Sequence, residues 1–153
     1  MKDPYQRPSL GSGVFYQNPR VALGWLEKAF GFKRTMVIDD SEGNLVHAEM
    51  RFGDGYLMLG SMWADFVASP KSIGGKNTQI IHVHLQDGID AHCAHAKAAG
   101  AEILQEPEDQ FYGDRSYRAR DPEGHVWTFS QTVRRVTREE AEQASGLKIE
   151  GWV

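Results

Sequence analysis

The sequence predicts an α+β fold made of two tandem βαβββ units whose curved mixed sheets enclose a cavity. Two helix-forming stretches begin and end at equivalent positions: one runs from Asn18 to Gly31 and the other from Asp87 to Gly100. Because 87 minus 18 and 100 minus 31 both give 69, we interpret the chain as two copies of one unit. One such unit cannot cover its own sheet, whereas two packed together can enclose a cavity.

Two further observations support this fold class. Gly55 and Gly124 are also 69 residues apart, and each precedes an apolar run of the kind that forms a strand. The chain has 153 residues, of which 41% are hydrophobic and 25% are charged. That size and composition are ordinary for one globular domain with a substantial core.

Charge and composition narrow the partners that we expect. The formal net charge is −4, which disfavours nucleic acid and anionic membranes as main partners. The chain has no apolar run long enough to span a membrane, its start lacks a secretory signal, and its single cysteine cannot form an internal disulfide. We therefore expect a cytoplasmic protein without a nucleic-acid or membrane partner.

The first unit is predicted at residues 12–62. A short apolar run predicts a strand at 13–16, and Asn18, followed by a proline, predicts a helix start because its side-chain oxygen can accept from first-turn amides. Apolar positions near 3.6 spacing continue to Gly31, which can adopt the left-handed conformation that ends a helix. A strand rich in β-branched residues follows at 32–38.

Residues 45–52 alternate between two faces of a strand. The face predicted to pack on the helix carries Val46, Ala48, Met50 and Phe52, and the other carries His47, Glu49 and Arg51. The second set is either a solvated strand face or, in a fold with two facing sheets, part of a cavity lining. A turn and a strand at 56–62 complete the unit, and residues 63–78 are predicted to connect the units and could fold over the cavity mouth.

The second unit is predicted at residues 79–132. His82 and His84 share one face of a strand at 80–86, and Asp87 is predicted to cap the next helix. The elements predicted after Gly100 are a strand at 101–105, a loop at 106–114 and a hairpin formed by 115–120 and 125–131.

Residues 133–153 differ in composition from the two units. Thr137, with Glu140 three residues later, predicts a capped helix. An arm follows at 146–153, and its apolar residues are Leu147, Ile149, Trp152 and Val153. The arm is predicted to dock either on its own domain or on a second subunit, and we expect a homodimer. A module whose main role is assembly through this arm is a third possibility beside binding and catalysis.

The chain resembles the vicinal oxygen chelate superfamily over residues 10–132. The resemblance rests on the two βαβββ units, a helix ending Leu-Glu-Lys-Ala-Phe-Gly-Phe and a final hairpin Asp-Pro-Glu-Gly-His-Val-Trp-Thr-Phe. The superfamily contains glyoxalases, bleomycin-resistance proteins and extradiol dioxygenases. The resemblance therefore implies the fold more strongly than any one activity.

The resemblance implies metal ligands of the His, Gln or Glu type on the first and last strands of each unit. In this chain those positions are Gly11, Ile80, Thr128 and either Met58 or Leu59. None is a credible ligand for a divalent ion. We therefore predict no metal at the usual centre and no other cofactor.

Displaced metal ligands are the alternative. If their two strands met across the cavity, a two-histidine, one-carboxylate set could form, with imidazoles from His82, His84 or His47 and the carboxylate from Glu49. Otherwise each histidine is a hydrogen-bonded residue lining a pocket. The remaining histidines, His92, His95 and His125, are predicted to be solvated, and Cys93 is predicted to be a buried thiol.

These observations favour a metal-free protein of the bleomycin-resistance-like kind that sequesters a small aromatic or amphipathic molecule. The predicted lining is Phe15, His47, Glu49, His82, His84 and Arg118, with Phe111 and Tyr112 closing over the ligand. The alternative is a glyoxalase-like lyase or dioxygenase that uses displaced metal ligands, or a metal-free catalyst with His82 or His84 as general base.

Overall fold

Two sheets of four strands each confirm the predicted α+β class. The structure is a computed structural model that describes residues 1–152. The first unit contains β1 (Ser12–Tyr16), α1 (Pro19–Phe30), β2 (Lys33–Asp39), β3 (Leu45–Phe52) and β4 (Gly55–Ser61). The second contains β5 (Ile81–His84), α2 (Ile89–Ala98), β6 (Glu102–Asp109), β7 (Asp114–Arg120) and β8 (Val126–Thr132). A 3₁₀ helix (Pro70–Ile73) lies in the connection, and α3 (Arg138–Ser145) follows the second unit.

Both sheets have the same topology, as the repeat predicts. The strand order is β1-β4-β3-β2 in the first sheet and β5-β8-β7-β6 in the second. In each sheet the first strand of the unit pairs in parallel with the fourth, and the other pairs are antiparallel. The sheets are therefore mixed, and β1 and β5 are edge strands.

The two units share one hydrophobic core. Phe30, the last residue of α1, contacts Trp127 and Phe129 of β8, with ring centroids 5.4 and 4.8 Å apart. Aromatic pairs at these distances stabilise a core beyond the area that they bury. Buried residues of both sheets and both helices belong to a single cluster. We call the opposite side of each sheet, which points away from this cluster, its outer face.

Most helix ends agree with the sequence. The Asn18 side chain accepts a hydrogen bond from the backbone N–H of Val21, and Gly31 ends α1 with φ of 79°. The capping box of Thr137 and Glu140 is confirmed. The prediction that Asp87 caps α2 is wrong: the cap residue is Gly88, and the free N–H of Ile89 donates to the Gln131 side chain at 3.0 Å. A partner distant in sequence thus replaces the local cap.

Two strand predictions need correction. The loop predicted at 106–114 is wrong, because β6 continues to Asp109 and pairs with β7 there. As β6 is an edge strand, it tolerates Pro107, which cannot donate to a ladder. Val46 was predicted to face the core but is 52% exposed, since the pairing of β2 with β3 shifts register beside it.

Two of the histidines predicted to be solvated are partly buried and hydrogen-bonded. His92 Nε2 donates to the carbonyl of Phe30 at 3.0 Å, and its Nδ1 lies 2.7 Å from the Tyr117 hydroxyl. Burial lowers the pKa of His92 below its ordinary value, which favours the neutral ring. His125 Nε2 donates to the carbonyl of Phe15. The hydrogen bonds to the carbonyls of Phe30 and Phe15 lie between the two units, so the pattern within one unit does not predict them. His95 is exposed, as predicted.

The C-terminal arm docks on its own chain. The indole N–H of Trp152 donates to the carbonyl of Val136 at 3.1 Å, and the backbone N–H of Ile149 donates to Glu142 at 2.7 Å. These contacts support docking of the arm on its own domain rather than on a second subunit. Val153 lies outside the described residues.

No helix within residues 1–152 is long and apolar enough to span a membrane.

Asp121, in the turn before β8, joins the two units from a buried position. Its Oδ2 accepts hydrogen bonds from the Tyr16 hydroxyl at 2.7 Å and from the Trp127 indole at 3.2 Å. Its Oδ1 accepts from the backbone N–H groups of Glu123 and His125, each at 3.0 Å. Burial raises the pKa of Asp121, and these hydrogen bonds partly oppose that effect.

Replacing Asp121 with Asn should destabilise the fold. In Asp121→Asn an NH₂ group replaces one of the two carboxylate oxygens and cannot accept a hydrogen bond. The donors that bond to that oxygen lose their acceptor, at a cost of about 1–3 kcal/mol. The free energy of unfolding in urea measures this loss. The control is Asp54→Asn, in the exposed turn between β3 and β4, which should change stability by less than about 0.5 kcal/mol. Equal effects of the two substitutions would contradict the role assigned to Asp121.

Candidate functional site

The outer face of the first sheet carries apolar side chains around Glu49, and Arg51 lies on the same face beside Tyr56. Strand register places Phe15, Met36, Ile38, His47, Glu49 and Met58 on it. Three of the apolar side chains remain largely accessible, since Met36, Ile38 and Met58 are 38%, 46% and 37% exposed. Methionines and an isoleucine left open on a sheet offer adaptable contact area to an apolar ligand.

The polar group on this face is centred on Glu49. His47 Nε2 lies 3.3 Å from Glu49 Oε1, and the Glu49 side chain is only 16% exposed. Partial burial raises the pKa of Glu49, but hydrogen bonds from Tyr56 and His47 and the nearby charge of Arg7 outweigh it and lower the pKa overall. Glu49 is therefore a carboxylate at neutral pH.

Arg7 and Tyr56 are site residues that sequence reasoning missed. Arg7 reaches this region because Asp3 holds its guanidinium, with Nε and Oδ2 3.0 Å apart. Tyr56 lies against Gly11, where a Cβ would approach the ring to 2.4 Å. The alternation that places Met58 on the outer face would also have indicated Tyr56. No sequence signal indicates that Arg7 folds back onto the sheet.

The outer face of the second sheet is polar and basic. His82 and His84 lie on it beside Thr128 and Ser130, and Arg118 lies on the neighbouring strand. Arg118 Nε donates to Thr128 Oγ1 at 3.2 Å, and His84 Nδ1 is 3.3 Å from Ser130 Oγ. Arg118 lies on the side of β7 opposite to Tyr117 and Ala119, which are fully buried.

The predicted ligand-binding residues line separate cavities in the single chain. Phe15 lines one of about 230 Å³, His82 and His84 line one of about 540 Å³ between β5 and the start of β1, and His47 lines one of about 830 Å³ near the start of α1. Phe111 and Tyr112 contact each other in the loop after β6, with ring centroids 5.2 Å apart. None of these three cavities within residues 1–152 is lined by both His47 and either of His82 and His84, although Tyr56 lines the second cavity together with those two histidines.

The residues at the superfamily's usual metal positions do not fit a divalent ion. The strand register shows which of Met58 and Leu59 occupies the metal position on β4. Leu59 is 1% exposed and lies in the core, so the position on the outer face is that of Met58. Thr128 Oγ1 accepts from the Arg118 guanidinium, whose charge would repel a cation. Gly11 and Ile80 offer no donor atom.

The displaced ligand set is also separated. His47 and Glu49 lie on the first sheet, whereas His82 and His84 lie on the second. Within residues 1–152, no group of three or more His, Cys, Asp or Glu side chains is placed to hold a metal ion. Burial raises the pKa of the Cys93 thiol to about 11, so the thiolate that a nucleophile or a metal ligand requires is scarce at neutral pH.

Comparison with known proteins gives consistent matches over most of the chain. The family model described as Glyoxalase/Bleomycin resistance protein/Dioxygenase superfamily matches residues 12–129. Uncharacterized protein Rv0887c of Mycobacterium tuberculosis is 30% identical over 148 residues, which cover 94% of this chain and 86% of that protein. The crystal structure of TioX from Micromonospora sp. ML1 is 30% identical, with a TM-score of 0.65, over 85% of this chain and 100% of TioX. TnmS3, an antibiotic binding protein from Streptomyces sp. CB03234, has a TM-score of 0.63 and 17% identity over 83% of this chain and 98% of its own.

Removing the Tyr56 hydroxyl should raise the pKa of Glu49. Tyr56→Phe eliminates a hydrogen bond that stabilises the carboxylate, whereas the desolvation that opposes ionisation remains. Carbon-detected NMR titration of the Glu49 carboxyl group measures the change. Tyr112→Phe, in the loop after β6, is the matched control and should leave the titration unaltered. A Glu49 pKa that stays constant or falls in Tyr56→Phe would contradict this account of the cluster.

Proposed function

The chain belongs to the Glyoxalase/Bleomycin resistance protein/Dioxygenase superfamily, and from this membership we propose that it is a metal-free binding protein. Its ligand is a small aromatic or amphipathic molecule, which it sequesters between the outer faces of the two sheets. The observation that carries the proposal is the complementary chemistry of those faces. One presents accessible apolar side chains around Glu49, and the other presents His82, His84 and Arg118.

Each face suits a different part of one ligand. Met36, Ile38 and Met58 can cover the apolar body of a ring system, and Phe15 can stack on it. Arg118 binds an acidic or carbonyl oxygen, because guanidinium groups donate in a planar, charge-assisted geometry. A site that is mostly apolar with a few oriented polar groups is typical of small-molecule binding.

The proposal requires a second copy of the chain. Since the outer faces point away from the shared core, the first sheet of one copy must meet the second sheet of the other. A twofold axis then generates two equivalent cavities in a homodimer. In this arrangement His47, Glu49, His82, His84 and Arg118 meet across the subunit interface, and Phe111 and Tyr112 close over the ligand.

The comparisons support binding more than they identify the ligand. TnmS3 is described as an antibiotic binding protein, and at 17% identity it shares the fold with this chain. Because one fold serves many chemistries, the argument for sequestration rests on the side chains. Those at the usual metal positions do not fit an ion, and this favours binding over lyase or dioxygenase chemistry.

Binding can be tested with an amphipathic aromatic probe, 1-anilinonaphthalene-8-sulfonate, on the folded protein. The naphthalene ring should occupy the apolar face, and the sulfonate should contact Arg118. Arg118→Ala should weaken binding of the probe about tenfold or more, since hydrogen bonds to charged groups contribute about 1.5–3 kcal/mol. Arg34→Ala, which removes a surface arginine paired with Glu27, is the matched control and should leave affinity unchanged. Fluorescence titration measures both, and equal weakening in the two variants would contradict the proposed site.

Metal analysis separates binding from the enzymatic alternative. The purified protein should contain no stoichiometric Ni, Zn, Mn or Fe, and His82→Ala should not alter its metal content. Stoichiometric metal that is lost together with a lyase or dioxygenase activity in His82→Ala would overturn the proposal.

A further inference from the structure

A second cavity lies where the connection between the units passes the edge of β1, and of the residues assigned above to the outer faces only Phe15 lines it. We propose that this cavity, which we call the linker cavity, binds a small carboxylate with an apolar body. Its volume is about 230 Å³, and residues of β1, the connection, β5 and the turn before β8 line it. The inference goes beyond the proposed function, because of the predicted ligand-binding residues only Phe15 reaches this cavity.

The cavity is formed before any ligand binds, because side-chain hydrogen bonds hold the connection in place above it. Asn77 Nδ2 donates to the carbonyl of Gly124 at 2.8 Å, and Asn77 Oδ1 accepts from the N–H of Val126 at 3.0 Å. Gln79 Nε2 donates to Ser12 Oγ at 2.8 Å. The Asn77 side chain thus links the connection to the second unit, and the Gln79 side chain links it to the first. A preformed site spares a ligand the cost of ordering the chain.

Apolar side chains line one part of the cavity. Phe66 and Ile73, both from the connection, are 79% and 44% exposed, although they line a concave site. Val67 and Ile81 complete this apolar surface. Covering such exposed side chains is worth about 25 cal/mol for each Å² removed from water. An apolar ligand body supplies that cover.

The charge of the lining selects an anion. Lys76 lines the cavity, and no Asp or Glu is among the described residues that do so. Within residues 1–152, Lys76 forms no salt bridge with an acidic side chain. A carboxylate near this amine gains a charge-assisted hydrogen bond, whereas an ammonium group is repelled.

Backbone groups of β1 add donors beside Lys76. The carbonyl of Phe15 accepts from His125 Nε2 at 2.8 Å, so it points to the free edge of this edge strand. Backbone groups of alternate residues in a strand point to the same edge. The N–H groups of Gly13 and Phe15 therefore also point to that edge, where both residues line the cavity. A carboxylate oxygen can accept from such donors.

The volume limits the ligand to about one ring. Sites for drug-sized molecules measure about 300–1,000 Å³, and the linker cavity is smaller. Benzoate has the required size, apolar body and single carboxylate. We therefore use benzoate as the probe, with benzyl alcohol and benzylammonium as neutral and cationic compounds of similar shape.

Titration of the full chain with these three compounds, followed by amide NMR shifts and isothermal calorimetry, tests the ligand class. Benzoate should bind at least tenfold more tightly than benzyl alcohol and should shift the amide signals of Gly13 and Phe15. Benzylammonium should not bind. Absence of benzoate binding at millimolar concentration, or equal affinity for benzoate and benzyl alcohol, would overturn the inference.

Matched lysine variants test the position of the site. Lys76→Gln should weaken benzoate binding about tenfold, as expected for loss of a charged hydrogen-bond donor. Lys71→Gln makes the same charge change in the connection, at a residue that does not line the cavity, and should leave affinity unchanged. Val67→Trp, which fills the cavity, should abolish binding while thermal unfolding reports that the chain is folded. Equal losses in the two lysine variants would contradict the site.

The outcome is distinguishable from that of the proposed function. Arg118→Ala removes a residue that the proposed outer-face site uses for acidic oxygens, so benzoate affinity is read from the amide shifts of Gly13 and Phe15, which line the linker cavity and should titrate unchanged in this variant. If Arg118→Ala weakened benzoate as much as Lys76→Gln does, benzoate would be binding at the outer faces, and the linker cavity would not be a site.

Discussion

The packing of the two units through one shared core determines where the rest of the molecule can act. Phe30 of the first unit lies against Trp127 and Phe129 of the second, and the buried Asp121 carboxylate accepts a hydrogen bond from Tyr16 across the same junction. The neighbouring Glu123 carboxylate accepts from the backbone N–H groups at the start of α1, 2.6 and 2.9 Å away. Because the core faces of both sheets are used here, the outer faces and the edge strands are the parts of the sheets that remain available for ligands.

This constraint explains the distribution of chemistry over the surface. The first outer face combines accessible Met36, Ile38 and Met58 with one ionised carboxylate, whereas the second carries histidines and an arginine. Neither face alone surrounds a ligand, and together they offer apolar area and polar groups of both signs. The linker cavity lies at the remaining open feature, the free edge of β1, and its lining is basic. Surfaces of distinct charge thus arise from one repeated unit, since the two units share a backbone arrangement but differ in side chains.

The sequence predicts the fold far better than it predicts the site. Periodicity and turn residues act locally, so the succession of strands and helices along each unit, the end of α1 at Gly31 and the capping box of α3 follow from short segments. Interactions between distant segments override such signals: Gln131 replaces Asp87 at the start of α2, and contact with α1 buries His92. Alternation within a strand assigns His47, Glu49, His82 and His84 to strand faces, but it cannot reveal whether two faces meet. Arg7 was missed because nothing in its neighbourhood indicates that the segment folds back toward Glu49.

The central claim, that the ligand site forms between the outer faces of two different copies, is tested most directly by subunit complementation. Met58→Glu places a charge on the apolar face, and Arg118→Glu reverses the charge on the basic face, so each variant alone should fail to bind 1-anilinonaphthalene-8-sulfonate. A mixed dimer of the two variants contains one cavity with both substitutions and one with neither. We predict that the mixed dimer binds one probe molecule, half the stoichiometry of the unaltered dimer, whereas neither variant homodimer binds it. If mixed dimers form and binding is not restored, each site lies within a single chain, and the account of the site is contradicted.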